Sequence, residues 1–155
     1  MGKENHETHN TFPYSRKHVL ENFEHYSSNQ LKFYSNRRNF DQGSPHKDVS
    51  KLSPYLRRRL ISEKEVLEIA LRKNTPSSLE KFIQEIFWRT YWRGWLEMRP
   101  DVYQDYVNVH NETHFPSKTG IKCFDHWTEE LIETGYLHNH ARMWYASIWI
   151  FTLRK

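Results

Sequence analysis

From Ser78 to about Met98 apolar residues recur at helical spacing, no proline interrupts them, and the one glycine, Gly94, lies near the end. Such a run is predicted to be a helix, because a strand would send alternate residues to opposite faces and scatter the apolar series. Leu79, Phe82, Ile83, Ile86, Phe87 and Thr90 fall on the side expected to enter a core. Glu85, Trp88, Arg89 and Trp92 repeat the spacing on a face turned well away from it. Two readings of that second face stand side by side. One is a rim of amphipathic side chains with an i,i+4 Glu85–Arg89 ion pair. The other is a site combining a stacking surface, an acceptor and a fixed cation, suited to a planar heterocycle that bears phosphates.

Start and stop signals divide the rest of the chain. Ser53-Pro54 opens a short helix towards Leu60, since serine can cap free N–H groups and proline fits the first turn. Ser62 and Glu65 form a capping box for a helix through Val66, Leu67, Ala70 and Leu71, stopped by Asn74 and Pro76, and Ser77 with Glu80 repeats the signature. Asp125 is expected to cap a helix that Gly135 ends, and Asn139 to cap another that runs to Lys155. Upstream, residues 1–12 read as a disordered lead, 13–33 as a weakly amphipathic helix through Val19, Leu20, Phe23 and Tyr26, and 36–51 as a loop. No segment alternates at period two for long enough to be a strand, so the fold class is all-α, with 1–33 as lead and possible helix.

The chain has 155 residues, 37% of them hydrophobic, which supports one core of ordinary size. Its glycines stand only at 2, 43, 94, 120 and 135, so neither of the glycine-rich phosphate loops, GxGxxG or GxxxxGK[ST], can be written in it. Cys123 is the single cysteine, expected as a small buried side chain in a reducing compartment. The polar N-terminus lacks a secretory apolar stretch, and nothing is apolar enough to cross a bilayer, so a cytoplasmic protein with no membrane partner is expected. A net charge of +4 hints at an anionic partner. The pairs His110/His114 and His138/His140 look metal-like, but the first has no third ligand nearby and the second does not share a helix face, so no metal is expected.

Two further stretches carry chemistry. SKLSP at 50–54 brings two hydroxyls and a lysine to a helix start, where oriented N–H groups can meet a phosphate, although such a stretch alone is more often just a cap. GYLHNHARM at 135–143 places Asn139, Arg142 and Met143 on one side of a first helical turn, or makes a plain helix corner. In order and spacing, YSNRRNFD, SKLSPYL, EIFWR and TG-I-KCFD-x8-TGYLHNHARM together resemble the helical flavin-binding domain of the photolyase and cryptochrome family, over roughly Tyr34 to Lys155.

The resemblance implies FAD held in a folded shape among helices. By position, Tyr34, Ser50, Leu52 and Ser53 would hold phosphate and ribityl groups, and Arg89, Asn139 and Arg142 would line the flavin. Lys51 and Tyr136 occupy cofactor positions where many members carry Arg and Trp. Glu85, Trp88 and Met143 would meet a DNA lesion, and Asn139 with Met143 fits the branch that splits cyclobutane pyrimidine dimers. The implied partner is DNA containing pyrimidine dimers. The implied chemistry is an electron passed from reduced, photoexcited FAD to the dimer and returned after the ring opens. A cryptochrome-like photoreceptor without repair activity and a flavin-free helical nucleic-acid-binding module are the alternatives. The family's antenna domain and the acidic segment after the last helix have no counterpart here, so the domain is expected to be incomplete, with a second polypeptide one means of completing it. The helix from Met143 to Leu153 is apolar on nearly every side. The isolated chain is therefore expected to hold FAD weakly and to self-associate.

Overall fold

A computed structural model describes residues 15–108 and 118–153; His110, His114 and the terminal Arg154-Lys155 lie outside the described residues. There is no strand among them, in agreement with an all-α chain. Helix α1 spans Arg16–Asn29, and α2 is the single turn Tyr34–Arg37. An irregular segment leads from α2 to α3 (Ser53–Arg57), followed by α4 (Glu63–Leu71), the long α5 (Glu80–Glu97) and α6 (Pro100–Asn108). Beyond them lie α7 (Lys122–Thr134) and α8 (Asn139–Ser147), the latter relaxing into a wider π turn at Ile148–Thr152.

One apolar cluster holds the first five helices together. Val19 and Phe23 of α1, Leu31, Leu52, Leu56, Val66, Ile69 and Ala70 meet Leu79, Phe82 and Ile86, all nearly sealed from water. Phe23 packs flat against Phe82 with centroids 6.0 Å apart, and Tyr34 meets the same ring edge-on at 5.3 Å. Phe87 and Thr90, expected on the core face, are exposed instead. Phe87 lies at the edge of the apolar arc, and Thr90 has run past Ile86, the last residue of α5 that the core covers. A second cluster is centred on Phe124, which stacks on Tyr145 at 4.3 Å and 6° and on Trp149 at 6.0 Å, so α8 rests on α7 through aromatic faces. The opposite side of α8 and its π turn leaves Met143, Trp144, Ile150 and Phe151 more than half exposed.

The capping box at Ser62 forms: Glu65 N–H donates to Ser62 Oγ at 3.2 Å and Ser62 N–H to Glu65 Oε2 at 2.9 Å. Gly135 ends α7 in the left-handed region, φ 68°, where a β-carbon would strain the backbone. Other predicted caps shift by a residue or more. Leu52, not Ser53, precedes α3, with no side-chain cap. The Ser77/Glu80 box is displaced by a 3-10 turn at Pro76–Leu79, in which Ser78 Oγ donates to Thr75 O at 2.8 Å. Asp125 lies inside α7 and reaches back to accept from Thr119 N–H, Thr119 Oγ and Gly120 N–H at 2.7–3.0 Å, tightening the entry turn. His138 caps α8, accepting from His140 N–H at 3.3 Å, so Asn139 is already the first helical residue. Cys123, on the outer side of α7, is exposed rather than buried.

Candidate functional site

Four separated stretches converge where α2, the 49–53 segment, α5 and the start of α8 meet. A cavity of about 190 Å³ there is lined by Tyr34, Arg38, residues 49–53, Glu85, Tyr136, His138, Asn139, His140 and Arg142. An open cleft of about 1040 Å³ lies alongside it, lined by Glu85, Trp88, Arg89 and Asn139 together with Arg57, Arg59, Trp92, Arg93 and Leu96. Glu85 and Asn139 border both. The structure thus brings together Tyr34, Ser50, Lys51, Leu52, Ser53, Tyr136 and Arg142 in the inner space, and Trp88 and Arg89 in the outer. Met143 lines neither; its sulfur lies 4.0 Å from Asn139 Nδ2 on the exposed side of α8.

The charges on α5 do not pair along the helix as local spacing predicted. Glu85 is bonded to Arg38, and Arg89 Nε lies 3.5 Å from Glu63 Oε1. Partners on adjacent segments pull the two side chains apart, and Arg89 Nε is left buried without a hydrogen-bond acceptor. Trp88 is half exposed and stacks on Trp92 at 6.2 Å and 25°, with Tyr91 edge-on at 5.4 Å. That gives a water-facing aromatic surface beside Arg57, Arg59 and Arg93, the combination that takes up bases and phosphates.

Inside, burial pushes the Tyr136 phenol up to about 12 and raises that of Tyr34, so both are protonated donors at neutral pH. Burial lowers the Lys51 pKa, and its backbone sits at φ 52°, rare for a residue with a β-carbon. Arg142 is anchored by Nη2 donating to Leu137 O at 3.1 Å. Arg38, His138 and His140 were missed as site residues by sequence reasoning. Arg38 stands within the quoted NRRNFD stretch, and the two histidines within the quoted GYLHNHARM stretch. No group of three or more His, Cys, Asp or Glu side chains among the described residues is placed to hold a metal ion.

His138 is buried, and burial lowers its pKa; His140 and His46 push the same way and Asp41 opposes them. It is therefore neutral in the fold, while in the unfolded chain it titrates near about 6.5. As pH falls below that value the unfolded chain takes up a proton that the folded chain refuses, so stability is lost on acidification until the folded pKa is reached. His138→Asn keeps a capping acceptor without the titration. Urea midpoints should fall less between about pH 7 and pH 5 in that variant than in the parent chain; equal falls would remove His138 from the effect.

Fold and site together define an all-α module with a cationic, hydroxyl-lined pocket opening onto an aromatic cleft. Sequence comparison takes this a step further. The chain is similar to the deoxyribodipyrimidine photo-lyase of Alkalihalophilus pseudofirmus, 25% identical over 144 residues, covering 84% of this chain and 29% of the relative. It is also similar to proteins of the same name from Neurospora crassa, 26% identical over 161 aligned positions (90% and 25%), and Streptomyces griseus, 32% over 115 (68% and 25%). The three matches support a relationship to the photolyase family, and the chain spans a quarter to three tenths of the length of these relatives. No family model matches, and no solved structure gives a significant match. Among the described residues no helix is long and apolar enough to cross a membrane.

Proposed function

We propose that this chain is the FAD-binding and lesion-contacting part of a photolyase-like protein that acts on cyclobutane pyrimidine dimers in DNA. The observation that carries the reading is the convergence of residues 34, 50–53, 85–89 and 136–142 on two adjoining cavities. The donor set suits the cofactor: Lys51 supplies positive charge and Ser50 and Ser53 hydroxyls for the phosphate and ribityl groups, Arg142 and Arg89 are cations for the flavin, and the buried Arg89 Nε has an unspent N–H. FAD, when bound, supplies the photoexcitable electron donor that opens the dimer. The chain's own residues do the rest. Asn139 and Arg142 fix the flavin edge at the first turn of α8, Tyr34 and Tyr136 donate from protonated hydroxyls, and Trp88 offers a stacking face to a flipped dimer. Glu85, held by Arg38, is the hydrogen-bond partner of the lesion at the boundary between the cavities.

Arg142→Ala should lose a charge-assisted contact worth about 1.5–3 kcal/mol and so bind FAD roughly 10- to 150-fold more weakly in a fluorescence titration. Equal binding by the variant and the parent chain would remove Arg142 from the site. Trp88→Ala should leave flavin binding intact and lose about 1–3 kcal/mol of affinity for dimer-containing oligonucleotide, measured against undamaged DNA at one salt concentration. Flavin binding without preference for damaged DNA would favour the photoreceptor reading, and DNA binding without flavin the helical nucleic-acid module.

A further inference from the structure

The Val49–Leu52 segment has a cavity on each side of it. The inner one belongs to the site above. The other is a cleft of about 530 Å³ between α1 and residues 45–55. We propose that this second cleft binds a small organic anion with a planar, apolar body, at a site of its own. Its floor is apolar and fixed, since Val19, Phe23 and Leu52 are 5% exposed or less. Tyr26 stands as an aromatic wall, pinned by its hydroxyl donating to Asp48 O at 3.1 Å.

The rim is cationic. Lys47 and Lys51 border the cleft, and among the described residues no aspartate or glutamate does and neither lysine is in an ion pair. An ammonium drawn out of water with no carboxylate beside it is costly, and an anion relieves that cost. The Lys51 ammonium is partly buried, with its pKa lowered by desolvation, and a left-handed backbone holds it there. The volume lies in the range of about 300–1,000 Å³ usual for small-ligand sites. A bare inorganic ion would leave the floor unused, so the ligand has a body as well as a charged head. Lys51 borders both spaces, whereas Asn22, Tyr26 and Lys47 border this cleft and not the inner cavity, so these three separate the proposal from the flavin reading.

The test is titration of the full chain with adenosine monophosphate, benzoate and inorganic phosphate at one salt concentration, followed by amide chemical shifts. At least one of the two organic anions should bind about tenfold or more tighter than inorganic phosphate and move the signals of residues 22–26 and 47–51; which one binds tighter identifies the head group. Lys47→Glu should weaken that binding by about tenfold or more, while Lys32→Glu, an exposed lysine outside the cleft, should leave it unchanged. Asn22→Trp, which fills the mouth without changing charge, should also abolish binding, with a thermal midpoint checked to show that it folds. Equal affinity for all three anions, equal losses in Lys47→Glu and Lys32→Glu, or no binding at all would overturn the proposal; equal losses would mean only the diffuse field of a basic chain.

Discussion

Replacing Glu130 by alanine lowers stability by about 1–3 kcal/mol, the cost usual when a buried polar group loses its hydrogen-bond partner. Glu130 and His46 are 6% and 5% exposed, and His46 Nε2 is bonded to Glu130 Oε1, joining the irregular segment after α2 to the middle of α7. Asp41 Oδ1 stands 3.4 Å from the other ring nitrogen. In Glu130→Ala the imidazole, packed against Tyr136 at 5.0 Å and His138 at 6.2 Å, keeps its burial and loses its closest hydrogen-bond partner. For a chain of this size the loss moves the thermal midpoint down by about 2–12 °C. The double variant His46→Leu/Glu130→Leu should lose much less, because a matched apolar pair removes both buried polar groups together. If the double variant is no more stable than Glu130→Ala, the loss comes from the missing packing of the Glu130 side chain and not from the polar group left without its partner. The consequence for function lies in the same segment. His46 tethers the stretch that delivers Ser50, Lys51 and Leu52 to the inner cavity, so flavin binding should fall along with stability in the single variant.

What could be read from the sequence was what depends on near neighbours. The capping box Ser62/Glu65 and the stop at Gly135 each involve residues a turn apart, and both are present. The all-α class followed from spacing alone. Pairings across the fold were out of reach. Local spacing pointed to Glu85–Arg89, whereas Glu85 takes Arg38, 47 positions away, and His46 takes Glu130, 84 positions away. Nothing periodic marks either partner, because both start in segments without repeating pattern. The Ser77/Glu80 box failed for a related reason: Pro76 favours a tight 3-10 turn, and the Ser77 hydroxyl that would have capped pairs with Thr75 Oγ1 at 3.1 Å instead. The candidate site itself was legible through its resemblance to a known family, and the structure adds the reason those stretches meet. Leu52 and Phe82 lie in the larger core cluster and Tyr136 and Leu137 are buried just before α8, so burial of their neighbours in the chain sets the positions of Ser53, Glu85 and Asn139.

Phe124→Ala is expected to cost about 3–5 kcal/mol, the range for removing a buried phenyl ring, and to do so unevenly along the chain. Phe124 is fully buried and is the ring on which both Tyr145 and Trp149 stack. Thr128 Oγ donates to Phe124 O at 2.9 Å and lies 3.3 Å from the Tyr145 hydroxyl, so the cavity opens where α7 and α8 are tied together. Collapse onto the hole would have to move α8, whose other side is already open to water at Met143, Trp144 and Phe151. The larger cluster of α1, α3, α4 and α5 contains neither Phe124 nor its partners. Hydrogen exchange should therefore quicken in α7 and α8 while α1, α4 and the first half of α5 keep their protection. Because α8 carries Asn139 and Arg142, flavin affinity should fall in step with α8 protection, and Phe124→Leu, which keeps most of the volume, should recover both in part. Uniform loss of protection across both clusters would mean that they unfold as one cooperative unit, and that the first turn of α8 is positioned by the whole core rather than by the aromatic stack beneath it.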